Sequence, residues 1–352
     1  MPILILGGAG ASKAVDKELY PTTVEFFELL SDEIKSNKIF DVVKQLLESR
    51  KGKGEIIDIE EVLWILSELE NFVDDINDPS SVIGWFTRGG RFFQVINQDY
   101  NLNSLIKASP HIKTRIRQLI DQIDIEVYRH YGKPPVPTQL EECWLPLLKE
   151  LLTKSQWIEL FTTNYDLVLE AAIQVMAEDN ILSNNNISTG RSISFQPTLD
   201  TSVWSKEIDT KAMRKAGGLL TKLHGSVDWR LGEENIHVGD PLFGGNHSQQ
   251  VIIYPGFKGA PETSPFNLFH NRFARILTMS DVLVFIGYAF RDEYINNLIR
   301  TNKNEKAKVF IINPVEINVP FASREYEHFP EYFNKKSVEK LMSKIDRILY
   351  LK

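Results

Sequence analysis

The chain opens on an unbroken apolar run, PILIL at 2–6, that stops at once on GGAGAS, and three later runs have the same form: WIELFTT at 157–163, DVLVFIGYAF at 281–290 and AKVFIINP at 307–314. Continuous apolar runs bounded by Gly, Asn or Pro suit strands buried on both faces, as in the middle of a parallel sheet. GLLTKLHG at 218–225 and VIIYPG at 251–256 predict two further strands. Between them, DLVLEAAIQVMAED, NLFHNRFARILTM and DEYINNLIRTN carry apolar residues at helical spacing. Strand and helix therefore alternate, which with right-handed crossovers predicts an α/β fold, a Rossmann-like doubly wound parallel sheet.

From residue 38 to 155 the pattern is mostly helical, with breakers at KGKGE, NDPSS and GKPPVPT. The spacing predicts a Rossmann-like domain of residues 1–37 and 156–352, interrupted by an inserted helical module at 38–155. Within the module, VIGWFTRGGRFFQVI at 82–96 sets several aromatics beside glycines. It reads either as an oligomer contact or as core.

Composition narrows the function classes. The 352 residues carry a formal charge of -7 with both signs interspersed, which offers no electrostatic footprint for a nucleic-acid backbone. No apolar run is long enough to span a membrane. MPILILGGAGAS has no charged stretch ahead of its apolar residues, so no secretion signal is expected. The single cysteine, Cys143, lies in a helical, core-like pattern. One cysteine excludes an intrachain disulfide and a four-cysteine zinc site, and a reducing cytoplasm fits best. The seven histidines show no metal-binding spacing, so no metal is expected.

The candidate chemistry collects where strands end. In a doubly wound sheet, ligands bind outside the carboxyl ends of the strands. GGAGAS, TTNYD, KLHGSVDW, IGYAFRD and INP all follow predicted strands, so they are expected on one rim. Asn164 and Asp166 are poor strand residues, and the bland reading makes Asp166 a helix N-cap. The functional reading aims both at a ligand. The glycines at 7–10 allow close backbone approach to a phosphate, although G-x-G-x-x-G is not met and the usual acidic ribose ligand about twenty residues on is missing. His224, between a strand and a glycine, is a candidate general base; its bland alternative is a capped backbone carbonyl.

The ordered set GAGAS (8–12), TTNYD (162–166), LHG (223–225), GYAFRD (287–292) and IIN (311–313) resembles the sirtuin superfamily. It looks closest to the sirtuin-like NADase domains of bacterial anti-phage systems. The resemblance implies that Gly8, Ala9, Gly10 and Ser12 hold the NAD pyrophosphate, with Thr163 and Gly225 flanking the site. It places Asn164 and Asp166 at the nicotinamide ribose and carboxamide, makes His224 the catalytic histidine, and puts Gly287 and Asn313 on the adenosine half. Deacylating sirtuins carry a four-cysteine zinc ribbon and an Ile-Pro-Asp-Phe-Arg type loop, and this chain has neither.

The resemblance thus implies hydrolysis of NAD to nicotinamide and ADP-ribose as a defence effector. Alternatives are an NAD- or ADP-ribose-sensing module without turnover, and a zinc-free deacylase or ADP-ribosyltransferase. Implied partners are a second copy of the chain, giving a homo-oligomer, and a HerA-type ATPase. KAVDKELYPTT, directly after the phosphate turn, reads as a lid that local sequence does not fix.

Overall fold

A computed structural model describes residues 2–51, 57–77, 102–154, 157–178, 187–192, 197–205, 217–232, 235–239, 250–253, 263–322 and 325–350. The chain forms two compact units. One comprises Met1–Thr22, His130–Ile253 and Phe257–Lys352; the other comprises Thr23–Arg129 with Tyr254–Gly256. The sequence pattern had drawn the module at 38–155. The described helices Pro137–Leu140 and Trp144–Thr153 fall within the first unit. The aromatic segment at 82–96 lies outside the described residues.

The first unit is built on a seven-stranded sheet in the order β10-β9-β8-β1-β2-β4-β3. Its strands are β1 (Ile3–Gly7), β2 (Trp157–Thr162), β3 (Ile187–Ser188), β4 (Gly217–Lys222), β8 (Val282–Ile286), β9 (Lys308–Ile312) and β10 (Tyr326–Phe329). Every pairing is parallel, so all carboxyl ends share one edge. The apolar runs fill the centre: Leu4, Ile5, Leu6, Val284 and Phe285 are wholly buried. The order reverses between β1 and β8, the point at which a doubly wound sheet opens its crevice.

Glu159 interrupts the apolar run of β2 and is also fully buried. Arg272 answers it with a two-pronged contact, Nε to Oε2 at 3.0 Å and Nη2 to Oε1 at 2.5 Å, and Trp157 Nε1 adds a bond at 2.8 Å. Burial pushes the Glu159 carboxyl up, opposed by Arg272. Leaving either charge unpartnered here would cost about 3–5 kcal/mol.

A second sheet was not read from the sequence. β5 (Gly225–Leu231), β6 (Ile236–Val238) and β7 (Gln250–Ile252) pair antiparallel in the order β6-β5-β7. VIIYPG therefore contributes β7 to this sheet and not to the parallel one. Val227 and Trp229 alternate with Ser226, Asp228 and Arg230, and all five are buried. The period of two was visible in GSVDWRL, and its buried charges obscured it.

The second unit is helical. Thr23–Leu29, Asp32–Lys35, Lys38–Lys51, Ile59–Asn77 and most of Leu102–Tyr131 make it up. Ile116, Ile120, Ile123 and Val127 fall on one helix face and are buried, as three- and four-residue spacing requires. Ser31 N–H donates to Glu126 Oε2 at 3.2 Å and Gln122 Nε2 to Glu33 Oε1 at 3.0 Å.

Candidate active site

β1 ends at Gly7 and the chain turns directly into the short helix Ala9–Lys13. This turn is packed against the turn after β8. Gly8 N–H donates to Ile286 O at 2.9 Å, Gly10 N–H to Gly287 O at 3.0 Å and Ala11 N–H to Gly8 O at 2.8 Å. A Cβ on Gly8 would lie 2.6 Å from Tyr288 Cα, and one on Gly287, whose φ is +57°, would lie 2.2 Å from Ala11 N. The glycines let two backbones meet, and the amides of Gly8, Gly10 and Ala11 already have partners.

Next along the edge, Thr162 Oγ1 bonds Gly7 O at 3.0 Å and accepts from Asn164 N–H at 3.0 Å, while Thr163 N–H reaches Gly7 O at 3.2 Å. These ties end β2 and turn Asn164 back toward β1. Both amide hydrogens of Asn164 are used: Nδ2 donates to Gly8 O at 2.9 Å and to Ser12 Oγ at 2.7 Å. Its carbonyl oxygen is left as the group to present to a ligand. Ser12 in turn hydrogen-bonds the Asp166 carboxyl, which burial pushes up despite Lys222, Ser12 and the Val168 N–H. Asp166 Oδ1 accepts that N–H at 3.0 Å. The capping reading and the site placement of Asp166 are therefore compatible.

Lys222, buried at the end of β4, holds this loop from below. Its Nζ donates to Tyr165 O at 3.2 Å, Ser226 Oγ at 2.9 Å, Glu170 Oε1 at 3.0 Å and, closely, to Asp166 O. Arg191 bonds Glu170 at 2.8 Å and Asp228 at 2.8 Å, closing a neutral network. Burial works against the Glu170 charge, yet Lys222 and Arg191 hold its pKa below the usual range.

His224 stands two residues past the end of β4, as Asn164 does past β2, and Thr162 pairs with Lys222. The two side chains thus occupy matching positions on neighbouring strands, which in a sheet run about 5 Å apart. Gly225, with φ +92° and Val251 O 2.1 Å from where a Cβ would sit, turns the chain from His224 into β5. His224 is 4 % exposed. One ring nitrogen, Nε2, meets Asp292 Oδ2 at 2.9 Å, and the other, Nδ1, is buried with no hydrogen-bond partner. Asp292 was inside the GYAFRD motif but was not singled out from sequence. Burial opposes its charge, but His224 and the Ile295 N–H hold its carboxyl below the ordinary value.

His270 lies beside this pair, edge-on to Tyr294 with ring centroids 5.3 Å apart. Neither of its ring nitrogens makes a hydrogen bond of normal geometry. Burial, and then the neighbouring His224, push its pKa down to about 3. It is therefore a neutral ring at physiological pH.

Asn313, past the end of β9, is buried and engaged: Nδ2 reaches Tyr288 O at 3.4 Å and Oδ1 accepts from Val315 N–H at 3.2 Å. It braces the turn after β8. KAVDKELYPTT differs from the lid expected of it. Asp16 Oδ1 accepts from the N–H groups of Glu18 and Leu19, both at 2.9 Å, and Oδ2 from Gln139 Nε2 at 2.6 Å. Tyr20 donates to Lys133 O at 2.6 Å and Tyr131 to Pro21 O at 2.8 Å. Burial, then Asp166 and Asp16, raise the Tyr20 phenol. Distant segments fix the stretch where local sequence does not.

Cys143 is fully buried, and burial pushes its thiol up to about 12. That makes it a packing residue with no thiolate chemistry at neutral pH. Among the described residues, no three His, Cys, Asp or Glu side chains are grouped to hold a metal ion, and no helix is long and apolar enough to cross a membrane. A cavity of about 530 Å³ lies between β10 and the helix Lys335–Tyr350, away from Asn164 and His224.

No curated protein matches the sequence. Among solved structures, the chain is similar to a Sir2 homologue mutant in complex with 2'-O-acetyl ADP ribose, at 13% identity and a TM-score of 0.44, over 100% of this chain and 94% of that one. No residue role follows from so distant a likeness. A family model described as a SIR2-like domain matches residues 158–341, more than half of the chain and the part that carries Asn164, Asp166, His224, Asp292 and Asn313. The chain therefore belongs to the SIR2-like domain family, within the sirtuin superfamily of NAD-using proteins.

Proposed function

We propose that this protein is an NAD+ glycohydrolase that cleaves the nicotinamide–ribose bond, releasing nicotinamide and ADP-ribose. The observation that carries the reading is a pair of ligand-ready atoms at matching positions on neighbouring strand ends. The Asn164 carbonyl is locked outward by two donated bonds, and His224 Nδ1 is buried without a partner. A buried acceptor left unpaired costs about 1–3 kcal/mol, a cost that a substrate hydroxyl or an attacking water would relieve.

The chemistry suits such a site. Nicotinamide leaves as a neutral molecule, so positive charge develops on the ribose, and the barrier is lowered by dipoles aimed at the sugar and by a base for the incoming hydroxyl. Asn164 would accept a hydrogen bond from a ribose hydroxyl or the water. His224 would take the proton as the water oxygen bonds to the anomeric carbon and the nitrogen keeps the electron pair of the broken bond. Asp166, buried and shifted toward its neutral form, would meet the carboxamide. Ala9 N–H and the Ser12 region would face the pyrophosphate.

The resemblance to anti-phage NADase domains supports a role in which NAD depletion arrests an infected cell, with the protein cytoplasmic, self-associated and controlled by a HerA-type ATPase. The test is nicotinamide release from NAD+ by the purified protein, alone and with an added HerA-type ATPase. Steady release that disappears in His224→Ala supports the reading. Tight NAD binding without release in either setting would make the protein a sensor, and release only with an added protein substrate would make it a transferase or deacylase.

A further inference from the structure

We infer that Asp292 is the positioning residue of the candidate base: it fixes the proton of His224 on Nε2, so that Nδ1 faces the substrate as a bare lone pair. The inference rests on the proposed reading of His224 as the base. It comes from the two oxygens of one carboxylate doing separate jobs. Oδ1 accepts the Ile295 N–H at 3.0 Å and so caps the helix Glu293–Asn302, while Oδ2 meets His224 Nε2 at 2.9 Å. An ionised carboxylate only accepts, so the imidazole must donate from Nε2, and the tautomer follows.

The approach to Asp292 is itself held under constraint. Phe290 is the one described residue other than glycine with positive φ, at +53°. For an aromatic residue this is uncommon and strained. The Asn296 side chain pins the Phe290 carbonyl at 2.7 Å. A strained turn so held delivers Asp292 to His224 at the start of a helix.

The groups around the imidazole come from three elements: Asp292 from the cap of the helix Glu293–Asn302, whose first turn also sets Tyr294 against His270; His270 from the helix Phe266–Met279; and Tyr165 from the loop after β2, its ring 6.4 Å from that of His224. His270 stays neutral, so Asp292 is the charge that stabilises an imidazolium when His224 accepts a proton. The carboxylate remains ionised throughout and the proton stays on the ring until product leaves.

The experiment uses Asp292→Asn in the full chain. Asn caps helices as well as Asp does, so Oδ1 can keep the Ile295 N–H while the amide nitrogen now faces His224 and reverses its tautomer. The expected result is a fall in kcat of about 10²–10⁴-fold with KM for NAD+ changed little, and an acid limb of the pH–rate profile moved to lower pH. A structural role alone would lower the melting temperature and leave that limb in place. Long-range proton–nitrogen correlation on histidine-labelled protein, with His224→Gln for assignment, reads the tautomer directly. Wild-type His224 with a bare Nδ1 that becomes protonated in Asp292→Asn supports the inference. A protonated Nδ1 in the wild type, or wild-type kcat in a folded Asp292→Asn, overturns it. Should the wild type not turn over NAD+, the proposed function fails and the wild-type tautomer alone decides this inference; it also decides if the variant does not fold.

Discussion

The two junctions at the carboxyl edge of the sheet are built on opposite principles. Where β1 meets β8, backbone packs on backbone, the amides of Gly8, Gly10 and Ala11 are satisfied, and the spaces beside Gly8 and Gly287 are filled. Where β2 meets β4, side chains converge and leave polar atoms unmatched: His224 Nδ1, and close by, both nitrogens of His270. Glycine-rich sequence marks the first and looks like the ligand site. The unmatched atoms mark the second, and they are what a ligand can complete. On the proposed reading, the glycine junction supplies a rigid edge beside the pyrophosphate and the side-chain junction supplies the reacting groups.

The largest effect that would separate the junctions is on turnover. His224→Gln should lose about 10²–10⁴-fold in the rate of nicotinamide release while its melting temperature stays near that of the wild type, since the Gln amide can keep a bond to Asp292 Oδ2 in place of the one that His224 Nε2 makes. An inactive variant that also melts far lower would erase the contrast. At the other junction the balance should invert. Gly287→Ala is expected to destabilise by about 2–5 kcal/mol, from a positive φ and a clash with the Ala9–Lys13 helix, as read from urea unfolding. Gly8→Ala should follow with about 1–3 kcal/mol, because the Tyr288 backbone that it meets has less strain to add.

The smallest effect at neutral pH tests whether the partnerless His270 is chemical or only structural. A histidine held neutral in the fold binds fewer protons than the unfolded chain at any pH between about 3 and its ordinary value near 6.5. Its contribution to stability is full above that ordinary value and falls away as pH drops, at up to about 1.4 kcal/mol per pH unit. His270→Phe should therefore match the wild type at pH 7.5 and exceed it increasingly toward pH 5 in thermal melts. Parallel curves would show that His270 is not buried as a neutral ring.

Legibility in the sequence followed the range of the interactions concerned. β1, β2, β8 and β9 were plain because burial on both faces leaves nothing but apolar residues to read, with Glu159 as the exception that Arg272 explains. The strand-end motifs were plain because short polar residues there have no other local reason to cluster. β5 was missed because its charges are buried: Asp228 pairs with the distant Arg191, and Arg230 donates to the carbonyls of Val227 and Trp229. The anchoring of KAVDKELYPTT depends on Lys133 and Gln139, more than a hundred residues away, and no local pattern encodes that. Asp292 was hidden by its own second duty: at the head of DEYINNLIRTN it reads as an N-cap, which it is, and one satisfied role conceals another.

That double duty has a consequence for how the family can drift. Aspartate and asparagine codons differ by one base, and the cap survives the exchange while the histidine's partner does not. On the proposed reading of His224 and Asp292, loss of turnover at this position is therefore a single mutational step that keeps the helix cap. Lineages that give up turnover and retain the scaffold would be expected to pass through Asn at position 292, and binding-only descendants should be found there first.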